Sequence, residues 1–411
     1  MVTSRGITLL AAAVLAWLAG RTLGIGELYA VAVAAAAVVG LGVLYVRLTT
    51  SSVSARRQVA TQRVVAGANL DALVELRNDA RLPSPTLLIS ENLPGAMAAA
   101  GHTERGEARF VVGGLGPGRV ASARYTAIAT TRGRYQLGPV KVRVRDPFGV
   151  AERTRRYTQT HDVLVYPRIE PLPAAPVRGA HMGSGSSDTR RVFSTGDDFY
   201  TMREYVNGDD LRRVHWPSTA HRQTLMVRQM EQPWQAHATV YLDARRVAHG
   251  TGPTGTLEKA VSVAASMVYH LADAGYAMRL VTDGTAGRIG PQSWESALDK
   301  LAILEPSENA GLAPSVAAAR GGEGLFVGIL GVPSGREDLA SHPDMRSLFG
   351  VRGFGQRMAL VVSQSGDPRG SLMAALLRGA GWQATTVAPS QPLTAAWQEL
   401  TRPAIRRGAA V

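Results

Sequence analysis

Cysteine is absent from this 411-residue chain, and lysine nearly so. Without a thiol there is no disulfide, no thiolate nucleophile and no cysteine-ligated zinc. Either side of a membrane suits such a chain. The three lysines, Lys141, Lys259 and Lys300, never follow a glycine, so a Gly-Lys phosphate-binding loop is excluded. The nine histidines form neither a His-Glu-x-x-His nor a His-x-His pattern, and no Gly-x-Ser-x-Gly nucleophile elbow is present. The glycine-rich run Gly113–Gly118 joins two segments of strand pattern instead of opening a helix, which argues against a phosphate cradle. Positive charge is in excess, 45 Lys+Arg against 32 Asp+Glu, for a net +13. That balance suits an anionic partner, nucleic acid or lipid. The arginines are scattered and not gathered in a stripe, so no nucleic acid is expected and a solvated basic surface accounts for most of the charge.

Two apolar runs open the chain. Ile7–Gly20 is 14 residues long between Arg5 and Arg21, and Leu28–Val46 follows with 19 uncharged residues before Arg47. A bilayer-spanning helix needs about 20 apolar residues. The second run meets that length; the first meets it if Thr22–Gly26 continues it and Arg21 snorkels. A secretory signal peptide is the competing reading of the first run. Arg47, Arg56 and Arg57 after the second run favour a cytoplasmic flank. Residues 1–50 are therefore expected to form a two-helix membrane anchor, in contact with lipid through residues 7–46. The bulk of the chain is placed on the cytoplasmic side of the plasma membrane.

Residues 55–170 alternate between apolar and polar with turn signals. Val140, Val142 and Val144 face one way and Lys141, Arg143 and Arg145 the other; Asp146–Val150 reads as a turn. A small β-sandwich is expected. Residues 171–195, rich in Pro, Gly and Ser, read as a linker or loop. Residues 196–411 then carry the strand–helix alternation of an α/β domain with a doubly wound, mostly parallel sheet. In such sheets ligands sit beyond the carboxyl ends of the strands.

One stretch concentrates chemistry. Gly196–Trp216 holds four aspartates, three arginines, a glutamate and four aromatic rings. Adjacent pairs such as Asp197-Asp198 diverge on a helix or strand, so a shared acid–base role is less apt than capping and ion pairing. Asp209 is placed as the N-cap of a helix that Pro217 ends. Arg203, Glu204, Asp209, Arg212 and Arg213 can neutralise one another over Phe199, Tyr205 and Trp216, forming a rigid collar that shapes a partner-binding face. A hydrolase using His215 with nearby carboxylates is the alternative, and binding of an anionic surface through the arginine excess a third reading.

The stretch and its continuation resemble the signature of the bacterial domain-of-unknown-function 58 (DUF58) family. The matching residues are Gly196, Asp198-Phe199, Arg203-Glu204-Tyr205, Gly208-Asp209, Arg212 or Arg213, His215-Trp216, Ser218 with Ala220, and Leu225 with Val227-Arg228. The resemblance implies two amino-terminal membrane segments, a β-domain and a von Willebrand factor A-like carboxyl-terminal half. It also implies a MoxR-type AAA+ ATPase as partner and no assigned reaction. A-like domains often carry an Asp-x-Ser-x-Ser metal loop after the first strand. Here Asp243 holds the carboxylate position, but Arg245 and Val247 stand where the serines would be. A carboxylate beside a guanidinium makes an ion pair, so neither metal nor other cofactor is expected.

Overall fold

A computed structural model describes residues 2–50, 53–81, 83–99, 103–104, 106–174, 200–206, 210, 212, 214–230, 236–250, 255–283, 290–319, 324–335 and 338–402. It is a mixed α/β structure with two apolar amino-terminal helices and several sheets. The chain divides into two compact units. The first draws on Met1–Glu170, Val261–Ser266 and Glu295–Glu305; the second draws on Pro171–Ala260, Met267–Trp294 and Pro306–Val411. The stretch read as a linker lies largely outside the described residues, which resume at Tyr200.

In the first unit, α1 (Ser4–Leu23) starts at Thr3, whose side chain accepts a hydrogen bond from the Gly6 amide, and stops at Gly24 in the left-handed region. α2 (Glu27–Thr50) returns beside it. Gly20 leaves room for Leu28, and Trp17 meets Tyr29 edge-on at 6.5 Å, with Arg21 over the indole. Both helices are long and apolar enough to cross a bilayer, a test that a signal sequence also passes.

Twelve strands follow: β1 (Val53–Val59), β2 (Arg63–Val65), β3 (Asn69–Asn78), β4 (Leu87–Asn92), β5 (Met97–Ala99), β6 (Thr103–Glu104), β7 (Glu107–Val112), β8 (Val120–Ala129), β9 (Gly133–Leu137), β10 (Val140–Arg145), β11 (Glu152–Tyr157) and β12 (His161–Tyr166). They form sheets ordered β1-β3-β8-β5, β11-β10-β4-β7-β6 and β2-β12-β9. Alternation decides the faces: Leu70, Ala72, Val74 and Leu76 of β3 share one core with Leu87 and Ile89 of β4 and Val140, Val142 and Val144 of β10. Val46 of α2 lies in the same core, so the last turns of the second apolar run are packing residues of the β-domain.

Arg57 departs from its expected place among the membrane-flanking charges. It is buried and paired with Glu91 of β4 at 2.7 Å, and it donates to the Leu137 carbonyl at 2.8 Å. Burial raises the Glu91 pKa against the opposing pull of Arg57.

The second unit opens with β13 (Tyr200–Glu204), α3 (Trp216–Arg222) and β14 (Met226–Met230), the two strands antiparallel. Then come β15 (His237–Leu242), α4 (Arg246–His249), α5 (Thr256–Asp273), β16 (Ala277–Thr282), α6 (Trp294–Ala302), α7 (Ala313–Ala319) and β17 (Leu325–Leu330). α8 (Pro343–Phe349), β18 (Gln356–Val362), α9 (Pro368–Gly379), β19 (Gln383–Val387) and α10 (Leu393–Thr401) complete the chain order. Some of α5 and nearly all of α6 group with the first unit. The five strands from β15 onward are all parallel, in the order β16-β15-β17-β18-β19. Sequence order thus reverses between β15 and β17. α5 is buried on nearly all sides, wider than the single stripe its periodicity suggests. The short helices α4, α7 and α8 have too few turns to show a period and were not foreseen.

Candidate functional site

At the carboxyl ends of β15 and β16 the second unit collects a dense charged cluster. Asp243 follows β15 directly, and its amide donates to the Ile329 carbonyl on β17, at the point where strand order reverses. Arg245 folds back onto it. Its Nε donates to Asp243 Oδ1 and its Nη2 to Oδ2, both at 2.9 Å, and the two side chains are wholly buried. Its Nη1 reaches Asp344 Oδ2 at 2.9 Å and the Ala310 carbonyl at 3.0 Å. One guanidinium therefore serves two carboxylates. Burial alone would lower its pKa, but Asp243 and Asp344 outweigh that and raise it, so the charge is permanent.

The surrounding groups close the network. Asp283, just past β16, accepts from the Ala244 amide at 2.6 Å, from Ser315 Oγ at 2.8 Å and from the Tyr241 hydroxyl at 3.1 Å. Burial, with the charge of Asp243 nearby, raises its pKa. Asp344 Oδ1 accepts from the Leu312 amide at 2.9 Å. His249 of α4 sets Nε2 at 2.7 Å from the Asp243 carbonyl, which can only accept, so that nitrogen carries the proton. Its Nδ1 meets Thr256 Oγ1 at 2.9 Å, and burial lowers its pKa. Asp243 thus has both carboxylate oxygens filled by Arg245. Among the described residues no group of three or more His, Asp or Glu is arranged to hold a metal ion. The residues present do not fit a hard divalent cation, which needs free carboxylate oxygens. They build a buried ion-pair and hydrogen-bond tie between the ends of β15 and β16 and the short helices α7 and α8. Sequence reading found Asp243 and Arg245 but missed Asp283, which arrives from the end of β16, and Ser315 and Asp344, which arrive from the short helices α7 and α8.

The signature stretch presents something different. Phe199, Gly208, Asp209 and Arg213 lie outside the described residues. Arg203 on β13 pairs with Val227, and Arg228 on β14 pairs with Met202. Val214 bridges Val227 from the other side, so β14 runs in the middle. Val214, Met226 and Val227 are buried beneath. At the end of β14, Tyr205 donates its amide to the Leu225 carbonyl and His215 donates its amide to the Met226 carbonyl, both at 2.8 Å. This brings Trp216 directly opposite Leu225, with Val206 one position further along the strand on the other side. All three are exposed, Trp216 by 67 %. Tyr205 is half-buried, and Glu204, Asp210, Arg212, His221 and Arg222 stand exposed around them.

Two expectations for this stretch are corrected. Trp216 does not bury beneath the arginines. Pro217 does not end a helix but sits in the first turn of α3, where its missing N–H costs nothing. His215 is the N-cap: its Nδ1 lies 2.8 Å from Ser218 Oγ and accepts from the Ser218 amide at 3.3 Å. Thr219 accepts from the Met226 amide at 3.0 Å and pins α3 to β14.

Comparison with known proteins bears on this stretch. Residues 201–315 match the family model described as protein of unknown function DUF58. The chain is 24 % identical over 258 residues to uncharacterized protein YeaD of Bacillus subtilis (strain 168), covering 61 % of this chain and 62 % of that relative, less than two thirds of its length. Among solved structures, the CARDB domain of the PF1109 protein from Pyrococcus furiosus aligns with 28 % of this chain and 91 % of its own, at 16 % identity and a TM-score of 0.19. A cohesin module of a Clostridium perfringens family 33 glycoside hydrolase aligns with 28 % of this chain and 96 % of its own, at 9 % identity and a TM-score of 0.20. Escherichia coli alpha-2-macroglobulin aligns with 29 % of this chain and 19 % of that structure, at 13 % identity and a TM-score of 0.22.

Proposed function

We propose that this chain, which carries a DUF58 match across its signature stretch, is a membrane-anchored interaction or assembly protein. Its docking face is the exposed end of β13, α3 and β14, and its partner is a MoxR-type AAA+ ATPase. One observation carries the reading: Trp216, opposite the exposed Leu225, is held at the surface by a cap and a strand that fix its backbone. Binding energy concentrates on tryptophans of this kind, ringed by polar residues that exclude water. Glu204, Asp210, Arg212 and Arg222 supply such a rim.

The anchor is α1 with α2 in the plasma membrane, and the bulk of the chain is cytoplasmic, a placement supported by Arg47 in the last turn of α2 and Arg56 on β1. The parallel sheet, with Asp243 after its first strand, is a von Willebrand factor A-like domain. In it the Arg245 guanidinium stands where other members bind a cation. Docking on this protein is accordingly independent of a metal. The test is a pull-down from the native host with the detergent-solubilised full chain. A AAA+ ATPase is expected with the wild type and not with folded Trp216→Ala; equal capture by both removes the docking face from Trp216.

A second reading, a hydrolase using His215 with nearby carboxylates, draws on the 2.8 Å contact between His215 and Ser218. The same contact is a helix cap. Asn caps helices as well as any residue, so His215→Asn keeps the fold and removes the imidazole. A hydrolase loses its turnover in that variant.

A further inference from the structure

The two apolar helices are fastened to the β-domain at one turn, Asp146–Val150, between β10 and β11. The Thr3 amide donates to the Val150 carbonyl at 2.9 Å, Thr3 Oγ1 donates to the Gly149 carbonyl at 2.7 Å, and Val2 bridges Ala151. Gly6 lies so close to the Val150 carbonyl that no Cβ would fit. On the other helix, a Cβ at Gly42 would come within 2.9 Å of Val150 Cγ2 and 3.4 Å of the Asp146 carboxyl. The turn itself is rigid. The buried Asp146 carboxylate accepts from the Phe148 amide at 2.9 Å and the Ala151 amide at 2.5 Å. Gly149 takes φ 71, and its amide donates to the Asp146 carbonyl.

This fastening sets a depth. With α1 held at Gly6 and α2 held from Gly42 onward, the rods that project beyond the turn run from residue 7 to 23 and from 27 to 41. At 1.5 Å per residue they reach roughly 25 and 22 Å, short of a hydrocarbon core of about 30 Å. A mismatch of this size is met by thinning the bilayer or by drawing the flanking structure into the interface. The flanking structure is suited to that. Phe148 stands 69 % exposed at the tip of the turn. Arg5 and Arg145 are exposed beside the turn at Gly149, with Arg145 paired to Glu152 at 3.0 Å. Arg143 and Arg156 continue the exposed basic face that Arg145 begins, whereas Arg153 and Arg155, opposite Val144 and Val142, lie on the other face of the β10–β11 hairpin. An apolar tip flanked by exposed arginines is the pattern of an interfacial anchor on an anionic surface.

We infer that the Asp146–Val150 turn is a lipid-docking element. Phe148 inserts among the headgroups of an anionic phospholipid bilayer, and Arg5 and Arg145 engage the headgroup phosphates. The inference rests on the reading of α1 and α2 as membrane helices, and its test separates the two. The chain has no native cysteine, so single-cysteine variants of the full chain take a spin label without background.

Three sites are compared in vesicles of phosphatidylcholine with phosphatidylglycerol: Leu15→Cys on α1, Pro147→Cys beside Phe148, and Ala60→Cys at the far end of β1. Accessibility to oxygen and to a water-soluble nickel complex is read at each. The expected result is a lipid-embedded label at 15, an aqueous label at 60, and an interfacial label at 147. Adding Phe148→Ser is expected to raise nickel accessibility at 147 several-fold, and removing phosphatidylglycerol to raise it as well. A label at 147 as aqueous as that at 60, with 15 still in lipid, overturns the docking turn and leaves the anchor standing. An aqueous label at 15 overturns the anchor and the turn together. Equal accessibility at 147 with and without phosphatidylglycerol overturns the requirement for an anionic surface.

Discussion

Replacing Arg245 by Met removes one cation and strands two buried carboxylates. Asp243 loses its two-pronged partner, Asp344 loses its ion pair, and the Ala310 carbonyl loses a donor. Breaking a single buried ion pair costs about 3–5 kcal/mol, because the partner left behind is charged and unsolvated. Here two carboxylates depend on one guanidinium, so a loss of at least about 5 kcal/mol is expected, a large part of the roughly 5–15 kcal/mol that holds a domain together. Neutralising both acids in the same background, as Arg245→Met/Asp243→Asn/Asp344→Asn, is expected to recover more than half, since the penalty lies in the uncompensated charges. The assay is urea unfolding of the detergent-solubilised full chain, followed by the fluorescence of Trp382 and Trp397, both buried in the second unit. A loss below about 1 kcal/mol for Arg245→Met, the scale of a surface pair, would refute the reasoning. So would a stabilisation of the wild type by millimolar Mg²⁺, because binding to the native state raises stability by mass action.

Three further outcomes follow from the same contacts. Arg57→Met is expected to destabilise the first unit by about 3–5 kcal/mol, and the paired Arg57→Met/Glu91→Leu by much less, again because only the single change orphans a charge; thermal melts of both variants check it. His249 is held neutral by burial, so its folded pKa lies below the unfolded value near 6.5. The unfolded chain therefore binds more protons as pH falls from about 6.5 toward the folded value, and stability is lost across that window at up to about 1.4 kcal/mol per pH unit. His249→Gln is expected to flatten the slope in part, since His270 is also lowered by burial and acts in the same direction. Finally, His215→Ala is expected to cost about 1 kcal/mol through loss of the α3 cap, with His215→Asn near neutral; equal losses in urea titrations would show that the cap is not what His215 supplies.

Much of the architecture was legible because it rests on local periodicity. The alternation of Val140, Val142 and Val144 fixed the buried face of β10, and the departures from an Asp-x-Ser-x-Ser loop announced the Asp243–Arg245 pair. What was hidden depends on register and topology. Arg57 reads as a flanking positive charge because nothing local says that β1 will set it against Glu91. Asp283 joins the cluster only because parallel strands bring their carboxyl ends together, and Asp344 only because the first turn of α8 packs against those ends. The run Leu28–Val46 reads as one apolar span, although its last turns pack against the β-domain, since a span and a core helix have the same composition. Pro217 was assigned to the wrong end of a helix because the same residue stops one helix and starts the next. Trp216 was expected inside on composition alone, and its exposure is what makes the stretch a candidate interface.

The most direct test of the central claim is a photo-crosslinking amino acid placed at position 216 of the full chain in its native membrane. A second copy of the experiment places it at Leu372 on α9, an exposed apolar position of the same unit. Crosslinked products are identified by mass spectrometry. A AAA+ ATPase captured at 216 and absent at 372 is the predicted result. No ATPase at 216, or the same proteins captured at both positions, would contradict the assignment of this face as the docking site.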